Sequence, residues 1–536
     1  MKRDIRPESG FGIISRRSLM AGAAAAALLP LPKGAARAAA AGNPQGKMVM
    51  TWHTAMAPRW LDPQEHDGTA TPDNFLHALH DALIKNSGTT LYDHPSLAER
   101  YEFAKDARSA TFFLREGTTF HNGEPVTPED VKFSYESYRG ALASAFKDKT
   151  EAVEILDRRT VRFKFKEPFL DFLLLMGASN VNGAGWVVPA KYYQKVGPDG
   201  FKRKPIGAGP YKLMNHEAGV KLEFEAFEGY YKPINIKHLT MMAVPEAATR
   251  LAMLERGEAD LIYGVPGELI DRVKNNSKLM LLPVLSGSFW LEFVNFQDPK
   301  SPFHDKRVRQ AISLAIDRKA INDTESAGQG RVSGNWINND VQYGLEWPPF
   351  EYNVAKAKQL MKDAGKADGF AVDWITPLPP FTARTERIIS QLQAIGIRAR
   401  LQAMERGVFL QRTRAGKAQW PGVQMILHGA RIGGSWTNWY ESFFKCGGHN
   451  VADRGCVPEL DAKLAKYKSS TDAEVRKKLA EEVQRTILEN YYVVPVFRHA
   501  FMNASGPRIA ATKVQDVFPT ITTGYAYPWE DIKLKG

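Results

Sequence analysis

A short stretch near residue 436 combines aromatic rings with glycines in a way that suits recognition of an organic molecule. Trp436, Trp439 and Tyr440 follow a pair of glycines at positions 433 and 434. Glycines have no Cβ, so they let backbone and rings approach a bound molecule closely. Sites for small organic molecules are lined mainly by apolar and aromatic side chains with few polar groups. The stretch therefore predicts a ligand-binding wall, and its alternative is core packing, the usual fate of tryptophan.

Residues for covalent catalysis or metal binding do not occur in a recognisable arrangement. The sequence contains no G-x-S-x-G, H-E-x-x-H, C-x-x-C or P-loop motif, so nucleophile, metal base and phosphate cradle are missing at motif level. His77 and His80 lie at i, i+3 on a predicted helix, but the sequence does not complete a metal site around them. We therefore expect no enzymatic activity, no resident metal and no cofactor.

The chain has two cysteines, Cys446 and Cys456, with nine residues between them. In an oxidising compartment such a pair forms a disulfide that stabilises the fold by roughly 3 kcal/mol on the chain-entropy estimate. The alternative is a pair of buried free thiols. A metal site needs more ligands nearby, and only His449 is close.

The first 38 residues are predicted to be an export signal. A basic segment containing Arg16 and Arg17 leads into an Ala-rich apolar run at 21–31, which is too short to span a membrane. The Ser-Arg-Arg sequence resembles a twin-arginine signal, and we expect cleavage after Ala38. The alternative is an amphipathic amino-terminal helix. Cleavage would remove seven cations and two anions and lower the formal net charge from +12 to +7. We expect a periplasmic protein.

Length and composition bound the remaining function classes. The chain has 536 residues, 44% of them hydrophobic and 24% charged, which is enough to build large cores in more than one lobe. Its cations are interspersed with Glu and Asp along the whole chain rather than clustered with aromatic residues. This distribution excludes a nucleic-acid-binding surface of the usual kind. We expect a soluble, multi-lobed monomer.

Hydrophobic periodicity predicts a mixture of strands and helices. Thr127 followed by proline and two acids predicts a helix that starts at Pro128. Alternating apolar residues predict half-buried strands at 161–165 and 220–224, and an apolar stripe at helical spacing predicts a core-facing helix. The stripe consists of Val475, Leu479, Val483 and Ile487.

Several motifs occur in the order found in one protein family. The chain resembles the family 5 extracytoplasmic solute-binding proteins, which are peptide, nickel and oligosaccharide receptors of ABC importers, from about residue 48 to its end. We expect the arginines and aspartates of these motifs to form ion pairs rather than to contact a ligand. The matching segments are Leu61-Asp62-Pro63, Phe120-His121-Asn122-Gly123, 126–134, Ile206-Gly207-Ala208-Gly209-Pro210-Tyr211, 250–260, 308–318, 353–365 and Gly396-Ile397.

The resemblance implies an α/β, periplasmic-binding-protein-like fold with two α/β lobes joined by two hinge segments. The chain would cross between the lobes at about residues 287 and 496, and the ligand would lie between them. Bending at both crossings would open and close the cleft. The expected boundaries are 44–84, 207–287 and 497–536 for lobe I, 85–206 for a subdomain inserted into lobe I, and 288–496 for lobe II.

The resemblance also implies candidate ligand residues. Peptide-binding relatives carry a Trp-x-x-Asp segment whose carboxylate pairs with the peptide ammonium, and here Arg431 lies where that Asp would be. Arginine is a donor suited to carboxylate or phosphate, so an anionic solute is favoured over a free-amine peptide. Trp290 follows the first expected crossing and is placed at the cleft floor. The further expected ligand residues are Trp436, Trp60, Trp336 and Asn438.

The implied function is capture of a small organic solute, peptide-like or anionic, and its delivery to an ABC permease and ATPase in the inner membrane. Two alternatives stay open. One is a secreted enzyme, which the absence of catalytic motifs disfavours. The other is a receptor that presents its ligand-bound state to a membrane sensor, which neighbouring genes for a permease and ATPase would distinguish.

Overall fold

The structure is a computed structural model. It describes residues 43–66, 70–85, 94–140, 143–177, 185–339, 341–378, 382–413, 422, 424–429, 436–447, 456–517 and 528–535. The predicted export signal lies outside these residues, and residues 38–536 form a single structural unit. Within the described ranges, no helix combines the length and the hydropathy that crossing a membrane requires.

Sixteen strands occur in the described part of the chain. They are β1 (Gln45–Trp52), β2 (Ile84–Lys85), β3 (His94–Pro95), β4 (Ala98–Phe103), β5 (Ser109–Leu114), β6 (Thr150–Asp157), β7 (Thr160–Phe165), β8 (Tyr211–Glu217), β9 (Lys221–Ala226), β10 (Ile236–Ala243), β11 (Leu261–Ile262), β12 (Met280–Val294), β13 (Phe370–Pro377), β14 (Ile397–Met404), β15 (Gln424–Gly429) and β16 (Val493–Ser505).

The same part of the chain contains fifteen α-helices. They are α1 (Ala70–Leu79), α2 (Pro128–Ser137), α3 (Ala143–Lys147), α4 (Phe172–Met176), α5 (Ala190–Arg203), α6 (Ala247–Glu255), α7 (Gly267–Lys274), α8 (Lys306–Leu314), α9 (Arg318–Ser326), α10 (Val354–Asp363), α11 (Thr382–Leu392), α12 (Arg406–Thr413), α13 (Trp436–Phe443), α14 (Pro458–Ser469) and α15 (Ala473–Glu489).

One mixed ten-stranded sheet runs through the molecule in the order β14-β13-β15-β12-β16-β11-β1-β10-β9-β8. A separate four-stranded sheet, β4-β5-β7-β6, is antiparallel throughout. The chain leaves the large sheet after β1 and returns to it at β8, so the small sheet belongs to an insertion between these two strands. An α/β fold with an inserted subdomain follows directly from this order.

Three large clusters of buried apolar side chains form the core. The Trp290 cluster includes Trp290, Ile312, Trp374, Trp436 and Val483. The Trp52 cluster includes Met50, Trp52, Phe224, Val284 and Trp529. The Phe163 cluster includes Phe112, Val131, Phe163 and Phe172 and lies against the four-stranded sheet. Of these three, only the Trp52 cluster combines separate parts of the chain, 48–79, 211–284 and 509–532, as expected for a lobe that the chain enters more than once.

The local predictions are confirmed in part. Helix α2 begins at Pro128, and its N-cap Thr127 forms a capping box with Asp130. Strand β7 buries Val161, Phe163 and Phe165 as the alternation predicts. The predicted strand at 220–224 begins one residue too early, because Val220 lies in a turn that is set by Gly219 at φ +77° and is 42% exposed.

Helix α15 differs from its predicted core face in the first turn. Val483 and Ile487 are buried, but Val475 is 45% exposed. Arg476, the next residue, is buried in its place. The prediction is wrong for Val475 because this turn contacts charged and aromatic partners, which are described with the site below.

Two family motifs contact each other through the imidazole of His121. The His121 ring accepts a hydrogen bond from the Gly207 amide at Nδ1 (3.3 Å) and contacts the Gly209 carbonyl through Nε2 (3.0 Å). A Cβ on Gly207 would stand 1.8 Å from the Leu79 carbonyl oxygen, so only glycine fits there. These motifs therefore build the scaffold where the insertion meets the large sheet.

The arginines of the 308–318 motif also have a structural role, but not as ion pairs. Arg318 donates to the carbonyls of Ser313, Ile316 and Pro495. Arg309 donates to four other carbonyls, which include those of Phe303 and Asn490. The expectation of ion pairs is wrong for these two residues, because the cations connect α8 and α9 to β16 and to the residues just before it. Burial lowers the pKa of Arg318 to about 9, so it remains charged at neutral pH.

His121→Gln is expected to make the free energy of unfolding depend less on pH in the acidic range. Burial, and to a lesser extent Lys212, lower the pKa of His121 from 6.5 to about 4. Between pH 6.5 and pH 4 the imidazole is therefore protonated in the unfolded chain but not in the folded chain. The free energy of unfolding decreases as the pH falls through this range. Between pH 7.5 and pH 5 the titration of His121 lowers the free energy of unfolding by about 2 kcal/mol. Urea titrations at both pH values measure the difference.

The matched control for that experiment is His238→Gln, since His238 is exposed on β10. The control should keep the pH dependence of the wild type. Equal pH slopes for wild type and His121→Gln would show that His121 does not contribute to the acid sensitivity.

Candidate ligand-binding site

Strands β12 and β16 form the antiparallel pair at the middle of the large sheet. Their pairing runs from Met280 opposite Ser505 to Glu292 opposite Val493. The register shifts between Leu285 and Ser288, where the ladder is interrupted. One end of the pair contributes Val284 to the Trp52 cluster, and the other contributes Trp290 to the Trp290 cluster. The interruption therefore lies between two separate cores.

The carboxyl ends of strands from both halves of the sheet point at this interruption. Strand β15 runs parallel to β16 and ends at Gly429, opposite Phe289. Strand β11 runs antiparallel to β16 and ends at Ile262, opposite Ala504. Ligands of open α/β sheets bind outside the carboxyl ends of strands. Here the carboxyl ends of β15 and β11 face each other across the middle of β16.

The middle of β16 presents an aromatic face. Alternation along the strand places Phe497, His499 and Phe501 on one side, and Phe289 of β12 pairs with Phe497 on the same side. We call these four residues the crossing surface. They extend over about 13 Å, the length of a small organic molecule. Phe289 and Phe501 are only partly buried, so part of each ring remains exposed.

An arginine from the first turn of α11 covers one end of the crossing surface. The Arg384 guanidinium carbon lies 4.0 Å from the ring centroid of Phe289, in cation–π geometry. Its Nε and Nη2 both donate to Glu325, at 3.0 and 2.7 Å. Arg387 also pairs with Glu325. Two cations therefore share one carboxylate beside the aromatic face.

His499 is neutral at physiological pH. Burial, reinforced by the positive charge of Arg384, holds the pKa of its imidazole well below the ordinary value of 6.5. The opposite end of the crossing surface meets the Trp52 cluster, because the Phe501 ring lies 5.8 Å from Tyr263. Tyr263 in turn stacks on Trp52 at 5.3 Å. The surface thus connects the two cores.

The expected ligand tryptophans lie mostly in the cores. Trp290, Trp336 and Trp436 are at most 1% exposed. Trp290 and Trp336 contact each other edge to face at 6.2 Å, and Trp436 contacts Tyr467 in the same way. Trp60 is half-buried and packs near Phe75 at 6.2 Å. Their ligand contacts stay predictions.

Two other expected ligand residues cannot be placed. Arg431 belongs to 430–435, which lie outside the described residues, and the side chain of Asn438 is also outside them. Both stay predictions. Cys446 and Cys456, further along the same region, form a disulfide with their Cα atoms 4.7 Å apart.

Phe289, His499 and Arg384 were not among the residues that the sequence led us to expect in the site. The alternation Phe497-x-His499-x-Phe501 was a usable signal, since it repeats aromatic rings at the period of a strand next to the expected crossing at residue 496. Arg384 offered no local signal, because only the tertiary fold brings the first turn of α11 close to Phe289.

One polar contact links the inserted subdomain to the Trp290 cluster. The Asp171 carboxylate accepts a hydrogen bond from the Thr437 hydroxyl at 2.8 Å and lies 3.9 Å from Arg476. Asp171 occupies the N-cap position of α4 but accepts no bond from that helix. Arg476 is 6% exposed and donates to the Tyr467 hydroxyl. We call this group the Asp171 contact.

The family of this chain follows from a comparison with known protein families. Residues 94–448 match the model of the bacterial extracellular solute-binding proteins, family 5. The chain belongs to this family. The solute-binding role and the extracytoplasmic location that the motifs implied are confirmed, and the family consists of receptors rather than enzymes.

Family 5 relatives match most of the chain. The dipeptide-binding protein of Escherichia coli is 25% identical over 84% of this chain and 93% of its own length. Heme-binding protein A of Haemophilus influenzae is 27% identical over 85% of this chain and 88% of its own length. The solved structure of DppA from Helicobacter pylori with the peptide STSA has a TM-score of 0.75 at 21% identity and covers 92% of this chain and 98% of its own. This last likeness confirms the periplasmic-binding-protein-like fold with two lobes.

Proposed function

We propose that this chain is the periplasmic receptor of an ABC importer. It captures a small organic solute, peptide-like or anionic, and delivers it to a membrane permease and ATPase. The observation that carries the proposal is the crossing surface, toward which strand ends of both halves of the sheet point. Such a position lets one small molecule contact both halves at once.

The proposed hinges are the crossings at about residues 287 and 496. Both positions fall inside β12 and β16, and the first coincides with the interrupted register between Leu285 and Ser288. A ladder that lacks regular pairing bends more easily than a regular one. We therefore propose the lobe boundaries that the family motifs led us to expect.

Closure is proposed to follow from differential affinity. A solute on the crossing surface contacts both lobes only when they are closed, so binding shifts the population toward the closed form. The permease can then distinguish loaded from empty receptor. We further propose export of a folded monomer through the twin-arginine route and removal of residues 1–38.

The proposed solute class includes peptides and other amide- or carboxylate-bearing molecules. The relatives named for dipeptides and for heme mark the range to be screened. Arg431, if it meets the solute, favours a carboxylate.

A thermal-shift screen of the mature protein, starting at residue 39, tests the function. We expect one of four solutes (the dipeptide Ala-Phe, the peptide Ser-Thr-Ser-Ala, glutathione or hemin) to raise the melting temperature, because it binds only the folded state. At a hundredfold excess over Kd the stabilisation is about 2.7 kcal/mol. Free alanine and phenylalanine are the matched control for Ala-Phe. No shift with any solute, or chemical conversion of a bound solute, would contradict the proposal.

A further inference from the structure

The imidazole of His499 has a hydrogen-bonding atom that the described protein does not satisfy. Only 8% of the residue is exposed, and its Nδ1 is buried without a hydrogen-bond partner among the described residues. Buried polar groups almost always have a partner, because an unmade hydrogen bond in a desolvated place is costly. The missing partner is therefore expected to come from outside the described protein.

The rings around His499 offer it no hydrogen bond. Phe289, Phe497 and Phe501 stand nearly perpendicular to the imidazole, with centroids 5.9, 5.7 and 4.9 Å away. They form an apolar frame that fixes the orientation of the imidazole. Phe289 and Phe501 keep part of their surface exposed, so a molecule has apolar surface to contact beside the nitrogen.

The net charge beside these rings determines which chemical group of a ligand His499 can face. Arg384 lies over Phe289 and lowers the pKa of His499, so its positive field reaches the imidazole. The carboxylate of Glu325 is shared by Arg384 and Arg387, which leaves more positive than negative charge in this group. A positive field attracts an oxygen acceptor and repels an ammonium group or a metal cation.

We propose that His499 is a specificity-determining residue that donates a hydrogen bond from Nδ1 to a carbonyl or carboxylate oxygen of the bound solute. Phe289 and Phe501 contact the apolar part of the same solute. The inference rests on the proposed solute-binding function and adds a defined acceptor to it. It places the recognition point on the crossing surface, midway between the opposing strand ends.

Two substitutions separate hydrogen bonding from packing. His499→Leu keeps the volume and removes the donor, and His499→Asn retains an amide donor near the position of Nδ1. Calorimetry with whichever of the four solutes raises the melting temperature of the wild type is expected to show about tenfold weaker binding for His499→Leu, the loss of one hydrogen bond in a desolvated site. His499→Asn should bind within about threefold of wild type. His238→Leu, on exposed β10, is the matched control and should not change the affinity.

A second measurement does not depend on the folding of any variant. In wild-type protein labelled with ¹⁵N-histidine, the Nδ1 resonance of His499 should move when the same solute binds. Unchanged affinity in both variants, equal losses in both, or an unmoved resonance would overturn the role of His499 while leaving solute binding intact. Failure of the wild type to bind any of the four solutes would instead overturn the proposed function together with this inference.

Discussion

Trp290→Ala is expected to lower the free energy of unfolding by about 3 to 5 kcal/mol, the usual cost of truncating a large aromatic residue in a core. The Trp290 ring is fully buried and meets Phe443 at 5.2 Å and Trp439 at 6.1 Å, both edge to face. Removing it leaves a cavity beneath the crossing strands that the neighbouring rings cannot fill. Equilibrium unfolding in urea without solute measures the loss.

Trp60→Ala is the matched control, because Trp60 is the same residue type but only half-buried. We expect a clearly smaller loss there, since less apolar surface is removed from the core. A Trp290→Ala protein as stable as wild type would contradict the core contribution of this ring. Weaker solute binding by an otherwise stable variant would favour the ligand contact that the sequence predicts.

Asp171→Ala is expected to weaken binding of the solute that raises the melting temperature about tenfold, because it removes one hydrogen bond and leaves Arg476 without its carboxylate neighbour. The Asp171 contact joins the inserted subdomain to α13. If it forms only when the lobes close, its loss makes closure less favourable and lowers the apparent affinity. Calorimetry with the same solute measures the effect.

Asp199→Ala is the matched control for that substitution. Asp199 is an acid of the same inserted subdomain whose side chain is 86% exposed. Its removal should not change affinity. Equal affinities for wild type and Asp171→Ala would show that the Asp171 contact does not stabilise the solute-bound form.

Local signals in the sequence were sufficient for much of the fold. Thr127 predicts the start of α2 because its hydroxyl and the Asp130 carboxylate satisfy main-chain amides within four residues. The alternation through Phe163 predicts β7 because one face of that strand meets a core. The family motifs added the two-lobed architecture, which no local pattern specifies.

The candidate site was harder to predict because its parts are distant in the chain. Phe289 and Phe497 meet only through the pairing of β12 with β16, and Arg384 arrives from a third segment. The burial of Arg476 was also not predicted, because its partner Asp171 is distant in the chain. Arg476 lies outside the apolar stripe of α15, a position that normally faces solvent, and only its contacts with Tyr467 and Asp171 explain its burial. Tertiary packing overrides the helical pattern at such positions.

Lobe closure on solute binding is the central claim, and single-molecule energy transfer measures it directly. Dyes attached to Lys166→Cys and Lys466→Cys, both at exposed positions, would report the distance between the inserted subdomain and α14. The protein has no free cysteine in its described part, so labelling is confined to these sites. Saturating Ala-Phe, or whichever solute raises the melting temperature, should shift the population to high transfer efficiency. An efficiency distribution that is identical with and without bound solute would contradict the account.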